Sequence, residues 1–225
     1  DRTLSGSTVH TQGTLAGGGN ALTITGDADI DGAYSGLTSL SISGASNLGA
    51  NITTSGTQTY AGAVTLSGGD RTLSGSTVHT QGTLAGGGNA LTITGDADID
   101  GAYSGLTSLS ISGAANLGAN ITTSGTQTYA GAVTLSGGDR TLSGSTVHTQ
   151  GTLAGGGNAL TITGDADIDG AYSGLTSLSI SGASNLGANI TTSGTQTYAG
   201  AVTLSGGDRT LSGSTVHTQG TLAGG

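Results

Sequence analysis

The 225-residue sequence lacks cysteine, proline, methionine, tryptophan and phenylalanine altogether, and it contains neither lysine nor glutamate. Without cysteine the chain forms no disulfide bond, no thiolate metal site and no cysteine nucleophile. Its four arginines stand against 13 acidic residues, which gives a formal net charge of −9. This balance argues against nucleic acid or an anionic membrane surface as a partner. No apolar run approaches the roughly 20 residues of a membrane-spanning helix, so we expect no membrane span.

The sequence is a tandem array of a 69-residue unit that begins with DRTLSGSTVH. The copies are nearly identical, and the visible difference is Ser46 and Ser184 against Ala115. A long fixed period is typical of solenoids and other repeat architectures. Because the last copy is partial, we interpret the chain as a fragment of a longer array, with repeats at 1–69, 70–138 and 139–207 and a partial repeat at 208–225.

Three organisations compete for such an array: a disordered tract, a string of small globular domains, or a continuous solenoid. The 46 glycines favour disorder, but apolar and small polar residues alternate in segments such as 22–25 and 64–67. Period-two alternation bounded by glycine indicates β-strands. A 69-residue domain without tryptophan or phenylalanine has little to fill a core, and no linker separates the copies. We therefore expect a single continuous β-solenoid over 1–225.

A shorter internal period supports the solenoid. Shifting the unit so that Leu22 falls on Leu40 also places Ile24 on Ile42. This match supports stacked turns, because a solenoid places like side chains above one another at the strand spacing of about 4.8 Å. The predicted fold class is all-β: a right-handed parallel β-helix with about four coils per 69-residue repeat, the handedness following the rule for parallel crossovers. Three longer coils per repeat are the alternative to our division into coils 21–38, 39–56, 57–72 and 73–89.

The alternation also predicts which side chains face the interior. Burying one aliphatic side chain contributes roughly 1.5–3 kcal/mol, so a narrow core shared between turns suffices. Glycine takes a positive φ without a Cβ clash, and Gly26, Gly32 and Gly36 are expected at the corners of the first coil. The predicted inward residues of one repeat are Leu22, Ile24, Ala28, Ile30, Leu37, Leu40, Ile42, Leu48, Ile52, Tyr60, Val64, Leu66, Leu73, Val78 and Leu84.

Two segments resemble a known family. The run NITTSGTQTYAGAVTL at 51–66 is similar to a recurring segment of filamentous-haemagglutinin-like proteins, which are bacterial type V secreted adhesins and exoproteins, and ALTITG at 21–26 is also typical of them. The resemblance implies a right-handed parallel β-helix, export across the outer membrane and a role as an extended surface stalk or adhesin. The near-identity of the copies departs from many members of that family and favours a structural array over a differentiated binding surface.

Three aspartates at alternate positions are the best local candidate for chemistry. On a strand they share one face, about 6.8 Å apart from one to the next, and carboxylate oxygens are suitable Ca²⁺ ligands. The spacing matches neither the EF-hand nor the Gly-rich nonapeptide of Ca²⁺-binding β-rolls, and a solvated face that keeps the protein soluble is the simpler interpretation. The weak Ca²⁺ candidates are Asp27, Asp29, Asp31, Asp96, Asp98, Asp100, Asp165, Asp167 and Asp169.

One histidine per unit, at positions 10, 79, 148 and 217, is a second candidate for chemistry. With four coils per unit, neighbouring copies lie roughly 19 Å apart, too far for two to share a metal. Ser5, Ser7 and Thr11 flank His10, with Asp27 as an acidic partner from another coil, but no Gly-x-Ser-x-Gly elbow occurs. Repetition in every unit suits packing better than catalysis. We expect no enzyme, no catalytic or cofactor-binding residue, and no cofactor beyond the Ca²⁺ candidate.

Threonine pairs and tyrosines suggest a different class of function. The pairs Thr23/Thr25 and Thr57/Thr59 suit ice binding if they form a flat rank on every coil, and exposed tyrosines can stack on sugar rings. Ser41 and Ser43 interrupt the rank, and β-propensity alone explains the threonines. The glycines at 17–19 lack the lysine of a phosphate loop and suit a corner.

We therefore predict a structural extracellular repeat segment, the stalk of a secreted adhesin or a self-associating surface fibre. The alternative is a ligand-binding β-solenoid for ice or glycan. The expected partners are further copies of the chain, joined end to end or side by side because unpaired β edges template other strands, and a host or neighbouring cell surface reached through regions outside this fragment. The expected location is extracellular or at the bacterial cell surface.

Overall fold

The computed structural model describes residues 1–224, and it contains β-strands but no helix within that range. Over these residues, twenty-eight strands pair in parallel with strands about one turn away along the chain. Glycine every few residues disfavours helix by about 1 kcal/mol per position, while the period-two alternation gives each strand one buried and one solvated face. The fold class is as expected, an all-β, right-handed parallel β-helix.

The first of two compact units spans Asp1–Gly113. It ends inside the second repeat, so the units do not correspond to separate globular domains of 69 residues each. Its strands are β1 (Arg2–Thr11), β2 (Leu15–Ile30), β3 (Tyr34–Ile42), β4 (Ser46–Leu48), β5 (Ile52–Thr54), β6 (Gln58–Tyr60), β7 (Val64–Leu66), β8 (Arg71–Thr80), β9 (Leu84–Ala85), β10 (Leu91–Ile99), β11 (Tyr103–Leu106) and β12 (Leu109–Ile111).

The second unit starts at Ala114 and is built in the same way. Leu142, for example, lies between Ile121 of the preceding turn and Ile162 of the following one. Its strands are β13 (Ala115–Leu117), β14 (Ile121–Thr123), β15 (Gln127–Tyr129), β16 (Val133–Leu135), β17 (Arg140–Thr149), β18 (Leu153–Ala154), β19 (Leu160–Ile168), β20 (Tyr172–Leu175), β21 (Leu178–Ile180), β22 (Ser184–Leu186), β23 (Ile190–Thr192), β24 (Thr195–Tyr198), β25 (Val202–Leu204), β26 (Leu211–Ser212), β27 (Thr215–Thr218) and β28 (Leu222–Gly224).

Each turn of the first unit contributes one short extended segment to each of three faces. Long strands such as β2 run round the corners and supply segments to more than one face. The first face stacks residues 22–24, 40–42, 58–60, 78–80 and 97–99; the second stacks 28–30, 46–48, 64–66 and 84–85; the third stacks 34–37, 52–54, 71–74, 91–93 and 109–111.

One repeat is about three and two-thirds turns long rather than four. Four turns of the first face lead from Leu22 through Leu40, Gln58 and Val78 to Ala97. The copy of Leu22 in the second repeat is Leu91. Leu91 lies on the third face, one face before Ala97, so the repeat is a third of a turn shorter than four turns.

The division into coils 21–38, 39–56, 57–72 and 73–89 was therefore wrong in its later boundaries. The later turns are longer than the first ones, because Gln58 pairs with Val78 and Ile52 pairs with Leu73. The expectation of about four coils per repeat was close in number, but the turns do not end where the repeat ends.

Equivalent residues of the first two repeats consequently lie on different faces. Ile24 is on the first face, directly before Ile42. Its copy Ile93 is on the third face, stacked on Leu73, which in turn lies on Ile52. Because the first repeat stops a third of a turn short, the second presents the same sequence on a new face.

The core of the first unit consists of the aliphatic columns that the alternation predicts. Every residue of the predicted inward set is buried, none more than 4% exposed. The structure adds polar members that the sequence pattern did not mark as inward, including Gln58, whose side chain is fully buried. Its amide nitrogen donates to the carbonyl oxygens of Ile52 and Ser74, at 3.2 and 2.7 Å, and its amide oxygen accepts a 2.8 Å hydrogen bond from the Tyr60 hydroxyl.

A column of glycines forms the corner between the first and second faces. Its members follow one another turn by turn, and a Cβ on most of them would overlap the carbonyl group of the preceding member. Gly26 also has a φ of 113°, which L-residues rarely adopt. We call this set the glycine column: Gly26, Gly44, Gly62, Gly82 and Gly101.

Candidate functional site

The register between neighbouring turns brings each histidine to two aspartates. β1 pairs in parallel with β2, with His10 beside Asp29. Asp29 lies between the buried residues Ala28 and Ile30, so its side chain points outward. Asp31 follows Ile30 at the corner where β2 ends. The same register recurs between β8 and β10 and between β17 and β19.

We call each such group a His–Asp–Asp cluster. In the first cluster His10 Nε2 lies 2.9 Å from Asp31 Oδ2 and 3.5 Å from Asp29 Oδ2. Both distances are the same in the other two clusters. In every cluster one ligand atom from each of the three residues lies within 4.8 Å of the others. The clusters are His10–Asp29–Asp31, His79–Asp98–Asp100 and His148–Asp167–Asp169.

The histidine of the first cluster is the most exposed of the three. Its side chain is 42% exposed, against 23% for His79 and His148, because His79 is stacked on Thr59 of the preceding turn and His148 on Thr128. The hydrogen bond to Asp31 raises the pKa of His10 above its ordinary value; partial loss of hydration opposes this, and the negative charges of Asp29 and Asp31 add to it.

The three aspartates of one run have different surroundings. Asp27 Oδ1 accepts a 2.8 Å hydrogen bond from the backbone nitrogen of Ala45 on the next turn, and Asp27 is not part of the cluster. Asp29 uses Oδ1 to accept from the side-chain nitrogen of Asn47, at 2.8 Å, and Oδ2 to face His10. The structure thus joins Asp29 and Asp31 to a histidine, where the sequence suggested a group of three carboxylates. Asp165, Asp167 and Asp169 repeat this pattern.

The first two clusters occupy different faces. His10 and Asp29 belong to the second face, in one column with Asn47 and Thr65. The second cluster lies on the first face, in a column of outward residues that changes character with almost every turn: Thr23, Ser41, Thr59, His79 and Asp98. No uninterrupted threonine rank forms along this column. Ser41 interrupts it within the first repeat, and the rotation of the second repeat by one face brings in His79 and Asp98.

The tyrosines lie inside the solenoid. All six are at most 1% exposed, so none offers a ring face to a sugar. The Tyr34 hydroxyl is hydrogen-bonded to Thr11 Oγ1, and that of Tyr103 to Thr80 Oγ1, both at 2.8 Å. Burial raises the pKa of Tyr34, Tyr60 and Tyr103 above the ordinary value.

The glycines at 17–19 and two polar side chains outside the clusters serve the corners. Gly87 and Gly88, copies of Gly18 and Gly19, have φ values of 60° and 82°, as the corner interpretation of 17–19 requires. Asn51 Oδ1 accepts from the backbone nitrogen of Thr72, at 2.9 Å. Arg71 Nε donates to the carbonyl oxygens of Leu48 and Ser67, at 3.1 and 3.0 Å.

Sequence reasoning named Asp27 as the acidic partner of His10, which was wrong, since the structure places Asp29 and Asp31 there. The sequence was compared between turns only at the shift that places Leu22 on Leu40. At a shift one position longer, His10 falls on Asp29. The inward pairs at this longer shift are Val9 over Ala28 and Thr11 over Ile30, and only the first of them is a match of aliphatic type. The signal was therefore present in the sequence but weaker than the match of Leu22 with Leu40.

Comparison with known proteins gives no match: no family model, no curated protein and no solved structure is similar to this chain. The resemblance of 51–66 to filamentous-haemagglutinin-like proteins stays a prediction. In the described residues 1–224, no helix has the length and apolar character needed to cross a membrane.

Proposed function

We propose that this chain is a non-enzymatic structural segment of a bacterial surface fibre, such as the stalk of a secreted adhesin. The observation that carries the proposal is the stacking itself. Columns such as Ile24, Ile42 and Tyr60 are buried turn after turn, so each turn stabilises the next and repetition adds length without new chemistry. The resemblance of 51–66 to secreted adhesins supports the cellular setting.

Self-association is part of this proposal. Unpaired β edges recruit further strands. We therefore propose that copies of the chain associate with one another, end to end or side by side.

The ice- or glycan-binding alternative has less support. Ice binding needs one threonine pair on the same face of every turn, whereas the outward column from Thr23 reaches His79 and Asp98 within five turns. Glycan stacking needs exposed aromatic rings, and the tyrosines are buried.

The test varies the number of repeats. Chains with one 69-residue repeat removed or added are compared with the present chain by small-angle X-ray scattering and electron microscopy at low concentration. A stalk predicts that the longest dimension changes by about 18 Å per repeat, from three and two-thirds turns of about 4.8 Å. A dimension that does not grow by a constant increment, or images of separate beads, would overturn the proposal. Inhibition of ice recrystallisation by the unmodified chain would favour the alternative in its place.

A further inference from the structure

We propose that each His–Asp–Asp cluster binds one divalent transition-metal ion of the Zn²⁺ class through one imidazole nitrogen and two carboxylate oxygens. Imidazole and carboxylate are both ligands that Zn²⁺ takes in proteins. Three protein ligands leave one position of a tetrahedral ion open for water. The Ca²⁺ suggested by the aspartates alone is disfavoured at this cluster, because Ca²⁺ prefers six to eight oxygen ligands and the histidine offers nitrogen.

The distances suit this class of ion. Zn²⁺ bonds of about 2.0–2.2 Å set ligand atoms about 3.3–3.6 Å apart in a tetrahedron. The two distances from His79 Nε2, 2.9 Å to Asp100 Oδ2 and 3.5 Å to Asp98 Oδ2, are close to that range. Small side-chain rotations therefore form the site, and the backbone does not need to move.

The backbone around the second cluster is fixed by interactions other than those within the cluster. His79 and Asp98 are partners in the parallel pairing of β8 with β10. The backbone nitrogen of Asp100 donates a 2.9 Å hydrogen bond to the carbonyl oxygen of Thr80. The three ligands are thus mounted on strands whose inward neighbours, Val78 and Ile99, are fully buried.

A second layer of contacts orients one ligand of the first and third clusters. The Asn47 side-chain nitrogen holds Oδ1 of Asp29, and Asn185 holds Oδ1 of Asp167, both at 2.8 Å. The other oxygen, Oδ2, is thereby aimed at the histidine. Such outer contacts typically tune metal affinity by about 10–100-fold. The two asparagines are not members of the clusters, so their hydrogen bonds are separate from those between the histidine and the aspartates.

The chain contains its own control. His217 is the fourth copy of the same histidine, but no fourth pair of aspartates follows it in this sequence, and among the described residues His217 belongs to no cluster. The first two clusters lie on different faces and about 18 Å apart along the stacking direction. They therefore bind independently, and the chain takes up three ions, not four.

The experiment titrates the whole chain with Zn²⁺ alone by isothermal calorimetry at neutral pH, and with Co²⁺ alone by visible absorption, which reports the coordination geometry. The expected result is three equivalents of ion. H79Q and D100N each lower the count to two, while H217Q leaves it at three. N47A keeps three equivalents but weakens one site about tenfold. Circular dichroism verifies that the variants are folded.

Four results would overturn the proposal: no binding above that of free histidine, loss of an equivalent in H217Q, retention of all three in H79Q, or displacement of Zn²⁺ by an equal concentration of Ca²⁺. None of these results affects the proposed stalk function, because its test measures the longest dimension of the chain and uses no metal ion. Failure of the stalk test likewise leaves the ion count unaffected.

Discussion

At the scale of single residues, one natural substitution reports on the cost of a buried hydroxyl. Ser46 and Ser184 are 3% and 2% exposed, and their hydroxyl oxygens have no hydrogen-bond partner. The middle repeat has Ala115 in the same position, also buried. A buried polar group without a partner costs about 1–3 kcal/mol, so alanine fits this position better than serine does.

We expect Ser46→Ala to raise the free energy of unfolding by about 1 kcal/mol, because it removes the unsatisfied hydroxyl and leaves the surrounding contacts in place. The reverse change, Ala115→Ser, is the matched control and lowers it by a similar amount. Urea unfolding followed by circular dichroism measures both. A Ser46→Ala variant less stable than the parent would show that the hydroxyl has a partner.

At the scale of strands and corners, the glycine column sets how closely turns approach. A Cβ on Gly82 would overlap the carbonyl group of Gly62 on the preceding turn. Gly13 occupies the same position of the first repeat, but no atom lies within 4 Å of the site of its Cβ, because Gly13 belongs to the first turn. The two glycines therefore differ in stacking and not in local sequence.

Gly82→Ala is expected to destabilise the chain by about 2–3 kcal/mol, since the added methyl group forces two turns apart. Gly13→Ala is expected to change stability by less than about 1 kcal/mol. Thermal unfolding of the two variants compares them directly. Equal effects at both positions would mean that the turns do not stack at this corner.

The strands also show which buried residues could be predicted from the sequence. The alternation of apolar and polar residues identified the inward set, because a strand with one buried face has an apolar residue at every second position, as in segment 22–25. It did not identify Gln58 or Thr80 as buried, since their polar groups are satisfied only by partners such as Ser74 and Tyr103 on other turns. Contacts of that kind depend on register, and register depends on corner length, which a single fixed shift of the sequence does not detect.

At the scale of the whole chain, variable corners give the repeat its rotation. The step from Ile52 to Leu73 is longer than the step from Tyr34 to Ile52, and the inserted positions include Gly68 and Gly69, both with positive φ. Four turns therefore span more of the chain than one repeat does, and the first two repeats present their His–Asp–Asp clusters on different faces. The prediction of about four coils was close in number but missed this rotation.

Disulfide trapping tests the register behind this account most directly, because the chain has no cysteine of its own. Thr65 and Ala85 are outward-facing partners in the pairing of β7 with β9, about 4.8 Å apart and within the roughly 4.4–6.8 Å that a disulfide spans. Thr65 and Thr83 are about 8 Å apart by the same geometry. We predict that the monomeric Thr65→Cys/Ala85→Cys variant oxidises to a disulfide and the Thr65→Cys/Thr83→Cys variant does not. The opposite result would contradict the longer turn between β7 and β9 and, with it, the repeat of about three and two-thirds turns.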